Sequence, residues 1–284
     1  RLKRGVHRFW AWYKHLYSGQ PWWKKTIVGI LSFFSLLLIY VIAVMTNFLW
    51  LFGKSPSLSE IMHPKNPSAS EIYSADGQMI GRYYNENRSP VPYDSINKVF
   101  FEALVATEDE RFYEHSGVDF IALGRAVVKR GVMGQASAGG GSTITQQLAK
   151  QLFSEKAHST VERLLQKPIE WIIAVKLERY FTKEEILAMY FNYFDFLHNA
   201  VGIKRAANVY FNKEPRKLTV TESAMLVGLC KNPSMFNPLR HPERCLQRRN
   251  VVLMQMVKSG YVTKDEYKEL SQRPLGLHFT RSKP

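Results

Sequence analysis

A chain of 284 residues, 45% of them apolar, has enough hydrophobic material for one good-sized domain, and bulk disorder is excluded. Its formal net charge of +15 narrows the surroundings to anionic partners, either nucleic acid or a lipid surface. Two cysteines, Cys230 and Cys245, are too few for a disulfide framework, and pairing or separate burial as free thiols are both open to them.

Residues 1–25 carry Arg1, Lys3, Arg4, Arg8, Lys14, Lys24 and Lys25 with no acidic side chain, interleaved with Trp10, Trp12, Tyr13, Tyr17, Trp22 and Trp23. That mixture could stack on nucleic-acid bases, and it equally suits a lipid headgroup zone. The next stretch decides. From Thr26 to Gly53 no residue is charged and nearly all are apolar, and about 20 such residues in a helix cross a bilayer core of roughly 30 Å. A secretory signal has a shorter apolar region and a small-residue cleavage site, which does not follow here. We therefore expect a transmembrane helix over residues 26–53, the basic tail 1–25 on the cytoplasmic side, and everything from residue 54 outside. This describes a single-pass protein of the cytoplasmic (inner) membrane. The charge then belongs to topology and anionic membrane lipid, and nucleic acid is set aside as a partner.

Residues 54–70 are rich in Ser and Pro and read as a juxtamembrane linker. Residues 71–93 hold two short apolar pieces around Ala75-Asp76-Gly77, the pattern of a hairpin. Beyond them the pattern is mostly helical. Thr182 with Glu185, Thr219 with Glu222, and Thr263 with Glu266 each predict a capping box ahead of an apolar run. The patch Ala136 to Gly141 reads as a mobile loop, and its flank Val127 to Met133 as either a membrane-contacting segment or an ordinary amphipathic helix end.

Three clusters carry chemistry. Over residues 96–117, Ile96, Val99, Phe100, Ala103 and Leu104 share one helical face, with Glu108 at its edge and Asp109 pointing elsewhere. A carboxylate that continues an apolar face is poorly solvated or lines a cleft, and poor solvation is how enzymes prepare a general base or acid near neutral pH. An exposed Glu beside Arg111 is the plainer alternative. Residues 140–147 gather Gly, Ser, Thr and Gln ahead of Leu148, an inventory of neutral donors and acceptors suited to a sugar or phosphate, with a helix N-terminus expected just after the glycines. Over residues 161–179, Val161, Leu165, Ile169, Ile172 and Val175 form an apolar side, opposite Arg163, Lys167 and Glu170. Pro168 must kink this helix or begin a new one, which would set Glu170 in a first turn.

Taken together these segments resemble the family 51 glycosyltransferases, the peptidoglycan polymerases of bifunctional penicillin-binding proteins and monofunctional transglycosylases. The resemblance covers roughly residues 71–260. Glu-Asp-x-x-Phe-x-x-His-x-Gly is matched by Glu108, Asp109, Phe112, His115 and Gly117. Gly-x-Ser-Thr-x-Thr-Gln-Gln is matched by Gly140, Ser142, Thr143, Thr145, Gln146 and Gln147. The third motif, Arg-Lys-x-x-Glu, is present as Gln166, Lys167 and Glu170, without its arginine, which Arg163 one turn away could replace. Lys183, Ile186, Leu187, Tyr190 and Asn192 fit the fourth, and Arg248, Arg249, Val252 and Leu253 the fifth. Where the family commonly has a Gly-Asn-Gly-like stretch, this chain has Leu197, His198 and Asn199.

The resemblance implies a mainly α, lysozyme-like glycosyltransferase domain over residues 71–275 behind one transmembrane helix, with residues 276–284 reading as the start of a further domain. It implies lipid II and the growing glycan strand as substrates, with other cell-wall synthesis or division proteins as candidate partners. Glu108 becomes the general base and Glu170 a second catalytic carboxylate. Asp109, Phe112, His115, Arg125, Ser142, Thr143, Thr145, Gln146, Gln147, Lys150, Lys167, Lys183, Tyr190, Asn192 and Arg248 become substrate-binding candidates. A divalent cation, magnesium or manganese, is expected near Asp109 or Glu170. A glycan-cleaving relative with the same fold class, or a scaffold that only binds lipid II, would be the alternatives.

Overall fold

The computed structural model describes residues 10–15, 18–45, 56–62, 70–76, 79–83, 90–128, 141–154 and 159–280. The chain divides into two compact units, residues 1–55 with 164–169, and residues 56–163 with 170–284.

In the first unit, residues 10–15 are helical, and the Tyr13 hydroxyl lies 3.4 Å from Ser32 Oγ on the long helix α1 (Trp22–Met45). Helix α1 starts earlier than expected, taking in Lys24 and Lys25, and the remainder of the predicted span lies outside the described residues. Residues 22–40 are long and apolar enough to cross a membrane, and Leu36, Leu38 and Ile39 stand exposed along it. Exposed aliphatic side chains on a helix this long suit a lipid surrounding, because water would penalise each of them.

The second unit is mainly α, as expected. The stretch read as a linker carries a short helix, α2 (Leu58–Met62), with Ile61 buried. The expected hairpin forms from β1 (Ser70–Tyr73) and β2 (Met79–Tyr83), antiparallel with Ser70 opposite Tyr83 and an irregularity at Ile72/Tyr73. Helices follow: α3 (Lys98–Glu108), α4 (Phe120–Val127), α5 (Ile144–Phe153), α6 (Thr160–Tyr180), α7 (Lys183–Tyr193), α8 (Ile203–Phe211), α9 (Val220–Lys231), α10 (Pro242–Lys258) and α11 (Lys264–Gln272). All three expected capping boxes are present, at the starts of α7, α9 and α11. Helix α5 begins directly after the glycines, with Thr143 as its N-cap. The loop expected at residues 136–141 lies outside the described residues except for Gly141, as does most of the flank from Val127 to Met133.

The core is built where α3, α9 and α10 pack on one another and α5 packs on α7. Phe100 and Phe191 meet at 4.1 Å between ring centroids, and Tyr93 stacks on Phe101 at 4.2 Å. Burying each such ring is worth about 2–3 kcal/mol. Residues 197–199 bend through three consecutive left-handed conformations, at φ 67, 53 and 59°. None is glycine, so each costs on the order of 1 kcal/mol. The turn is held by the Asp195–Val201 bridge, by the Leu197 amide donating to Asp195 Oδ1 at 2.8 Å, and by His198 Nε2 3.2 Å from Asn237 Nδ2. The C-terminal stretch docks against α8, where the His278 and Thr280 amides donate to the Tyr210 and Val209 carbonyls, each at 2.9 Å.

Both cysteines are free and buried. Burial pushes the Cys245 thiol up to about 12 and holds Cys230 well above the ordinary thiol range. Thiolate is the nucleophile, so native protein at about pH 8 should take up no iodoacetamide, while urea-unfolded protein should take two labels per chain. Labelling of the native form would contradict this packing. The sign follows from linkage: unfolded thiols ionise first as pH rises, so stability from their neutral burial is intact below the ordinary thiol range and declines toward about 12.

Candidate active site

Helix α3 ends at Glu108, whose side chain is 16% exposed and faces Arg248 Nη2 at 3.1 Å through Oε1. Gln147 Nε2 donates to Oε2 at 3.2 Å, and the Tyr190 hydroxyl donates to Gln147 Oε1 at 3.0 Å. Helices α10 and α5 therefore converge on one carboxylate, with α7 behind Gln147. Gly228 admits Arg248 to this position, because a Cβ there would sit 3.2 Å from Arg248 Cγ. The Arg248 Nε is buried with no hydrogen-bond partner among the described residues, so this guanidinium keeps donor capacity beyond Glu108.

Asp109 is buried as the C-cap of α3, not solvated. Its Oδ2 accepts the Ile144 amide at 3.0 Å at the start of α5, where a negative charge is favoured. The Gly117 amide donates to His115 Nδ1 at 3.2 Å, which leaves the proton on Nε2 to donate to Asp109 at 3.0 Å. The Gly117 carbonyl in turn accepts Thr143 Oγ1 at 2.7 Å and Gln146 Nε2 at 3.3 Å. The first two motifs are thus laced together at Gly117. That residue sits at φ +95°, and a Cβ there would lie 2.7 Å from the Ala174 carbonyl carbon. Gly117→Ala should cost at least about 2 kcal/mol, read as a lower melting temperature.

A second buried cluster stands behind this frame. Glu178, 5% exposed, accepts Thr145 Oγ1 at 2.6 Å and pairs with Lys183 at 2.7 Å. Lys183 also donates to the His115 carbonyl at 2.7 Å and lies 4.2 Å from the Phe112 ring centroid. Asn192 pins the chain at residue 91, donating to the Val91 carbonyl at 2.8 Å and accepting its amide at 3.0 Å. Arg249 is fully buried and clamps the carbonyls of Ser271, Arg273 and Pro274.

Glu170 corrects the sequence reading. Helix α6 runs unbroken through Pro168, so Glu170 is not in a first turn. The helix buries Ile169, Glu170, Ile173, Ala174 and Leu177, and Val175 is exposed. The buried face is rotated from the expected one because an ion pair overrides apolar phase. Arg163 grips both Glu170 oxygens, and Ser154 Oγ lies 3.4 Å from Oε1. Helix α5 connects the two carboxylates. Gln147 at Glu108 and Ser154, the C-cap of α5, at Glu170 are seven positions apart, a rise of about 10 Å along the helix.

Of the other expected residues, Lys150 and Arg125 are exposed and Ser142 partly so. Lys167 precedes Glu170 in α6, within the stretch that groups with the first unit. Arg163 was legible on one helix side with Glu170 and as a substitute for the missing arginine, and Ser154 and Glu178 carried no motif signal. Neither Asp109 nor Glu170 fits a resident divalent ion. Both Asp109 oxygens face His115, and both Glu170 oxygens face Arg163. Among the described residues no group of three or more His, Cys, Asp or Glu side chains could hold one.

A partly exposed carboxylate fixed by arginine and amide donors, with a second carboxylate–arginine pair two helical turns away, is equipment for proton transfer beside an anionic group. The family model described as Transglycosylase matches residues 76–257. Penicillin-binding protein 1A of Aquifex aeolicus (strain VF5) is 40% identical over 257 residues, covering 89% of this chain and 34% of that protein. Penicillin-binding protein 1F of Bacillus subtilis (strain 168) is 42% identical over 211 residues, covering 74% of this chain and 29% of its own. A crystal structure of penicillin-binding protein 1A from Haemophilus influenzae aligns with a TM-score of 0.42 at 24% identity, over 76% of this chain and 22% of that one. The chain belongs to the transglycosylase family, the family 51 peptidoglycan glycosyltransferases of class A penicillin-binding proteins. It spans about a third of the length of the first relative and less of the second.

Proposed function

We propose that this chain polymerises lipid II into peptidoglycan glycan strands, with Glu108 as general base. The observation that carries the reading is the setting of Glu108: one donor on each oxygen, from helices α10 and α5, with an edge open to solvent. Glu108 takes the proton from the acceptor sugar hydroxyl as that oxygen attacks the anomeric carbon of the donor strand. The bond to the pyrophosphate breaks on the opposite side, so the configuration inverts from α to β and undecaprenyl pyrophosphate leaves with the bonding electrons. Cations must meet that charge. Arg163, oriented by Glu170, takes the part of the arginine that the motif lacks at Gln166, and Lys150, Arg125 and Arg248 are further cations of the same unit. The apolar helix α1 anchors the enzyme in the bilayer that holds both lipid-linked substrates, with the basic tail cytoplasmic.

The test is incubation of the full chain in detergent with fluorescent lipid II, followed by gel separation. A ladder of strands supports the reading. Shortening of preformed strands would replace it with a cleaving enzyme, and binding without turnover with a scaffold. Chelation by EDTA then separates two sources of charge neutralisation: a rate that survives leaves it to lysine and arginine, and a lost rate assigns part of it to a cation entering with the pyrophosphate.

A further inference from the structure

Tyr190 is fully buried, and its hydroxyl, beside the core thiol of Cys230, donates out of the core to the Gln147 amide at the site. The ring is pinned by Phe191 edge-on at 5.3 Å and by Phe194 stacked at 5.9 Å, so the core fixes where the hydroxyl points. Burial holds the phenol well above its ordinary range, so it carries a proton to donate at any working pH.

We propose that Tyr190 is a positioning residue for the reaction, fixing the Gln147 amide so that its N–H end faces Glu108. This rests on the reading of Glu108 as the base. The two ends of a glutamine amide have nearly the same shape, and hydrogen-bond partners decide which end is oxygen. With the Tyr190 hydroxyl donating to Oε1, Nε2 is directed at Glu108 Oε2. The reversed amide would set oxygen against a carboxylate, acceptor against acceptor. Arg248 on Oε1 and Gln147 on Oε2 then lock the carboxylate plane, and each oxygen keeps a further lone-pair site for the incoming sugar hydroxyl. The chain from phenol to amide to carboxylate polarises along its length, so loss of the first donor weakens the second.

The test compares polymerisation of lipid II by the full chain in detergent with Glu108→Gln, Tyr190→Phe, Gln147→Met and the Tyr190→Phe/Gln147→Met double variant, with thermal melts of each. Tyr190→Phe should lower kcat about tenfold and leave KM within about twofold, since the interaction serves the transition state and not substrate binding. The double variant should be no slower than Gln147→Met alone, because the phenol acts only through the amide. An unchanged kcat in Tyr190→Phe overturns the inference, and so does a double variant whose loss is the product of the single losses. If Tyr190→Phe does not fold, Gln147→Met decides: a lower kcat at unchanged KM upholds the amide's role, and wild-type kcat overturns it. No ladder from the wild type, or a full ladder from Glu108→Gln, sinks the base assignment and this inference together. Failure of the tyrosine alone is read against a wild-type ladder that Glu108→Gln lacks.

Discussion

Glu108→Gln should reduce polymerisation by about a thousandfold while leaving the protein folded and able to bind lipid II. A positioned general base contributes on the order of 10²–10⁴ in rate, and Gln is close in shape but has no basic oxygen. Arg248 keeps an acceptor in the amide oxygen, so the convergence of α3 and α10 survives. What is lost is a place for the acceptor's proton. The fall should therefore appear in kcat, with lipid II binding by fluorescence anisotropy within a fewfold of wild type. A variant that retained a tenth of the rate would remove Glu108 from the base role. Glu170→Gln makes the contrast. Its carboxylate is fully buried under Arg163, so its loss should disorder Arg163 and weaken handling of the pyrophosphate without removing the base.

The second large effect concerns stability. Lys183→Met leaves Glu178, 5% exposed, with the Thr145 hydroxyl as its one remaining hydrogen-bond partner among the described residues. Breaking one side of a buried pair costs about 3–5 kcal/mol, and Lys183 is 20% exposed, which brings the expectation to about 2–4 kcal/mol. In a domain of this size that is a drop of roughly 5–12 °C in melting temperature. Adding Glu178→Leu should restore part of the loss, because the stranded charge goes with it. The restoration is partial, since the His115 carbonyl and Thr145 hydroxyl still lack their partners. A double variant less stable than Lys183→Met would show that the pair is not the reason for the cluster.

Local rules were legible wherever they acted within a few residues. Three capping boxes, the turn at Ala75-Asp76 and the helix start just after the glycines each follow from chemistry inside one turn. The apolar face of α3 was readable in part: Phe100, Ala103 and Leu104 are buried as their spacing predicts, while Val99 is half-buried and Phe101 and Val105 are buried off that face. Helix α6 failed for the complementary reason. Its buried face is set by Arg163 reaching Glu170 and by Ser154 at the C-cap of α5, contacts that hydropathy does not encode. The motif residues were found by resemblance, but their division of labour was not. Asp109, Thr145, Lys183 and Asn192 each bond to other parts of the protein, while Glu108 and Arg248 sit at its edge. That division depends on pairs separated by 26 to 140 positions, a range over which periodicity is silent.

The paired arginines of α10 carry one more consequence. Neighbours in a helix point about 100° apart, and here Arg248 reaches Glu108 while Arg249 grips the backbone where the chain leaves α11. The helix is keyed on two sides, like an axle with a pin in each flank. Its azimuth cannot change to suit one partner without withdrawing the other. Turning the backbone at Ser271–Pro274 would thus turn the guanidinium at the carboxylate, so the reactive geometry is tied to the end of α11.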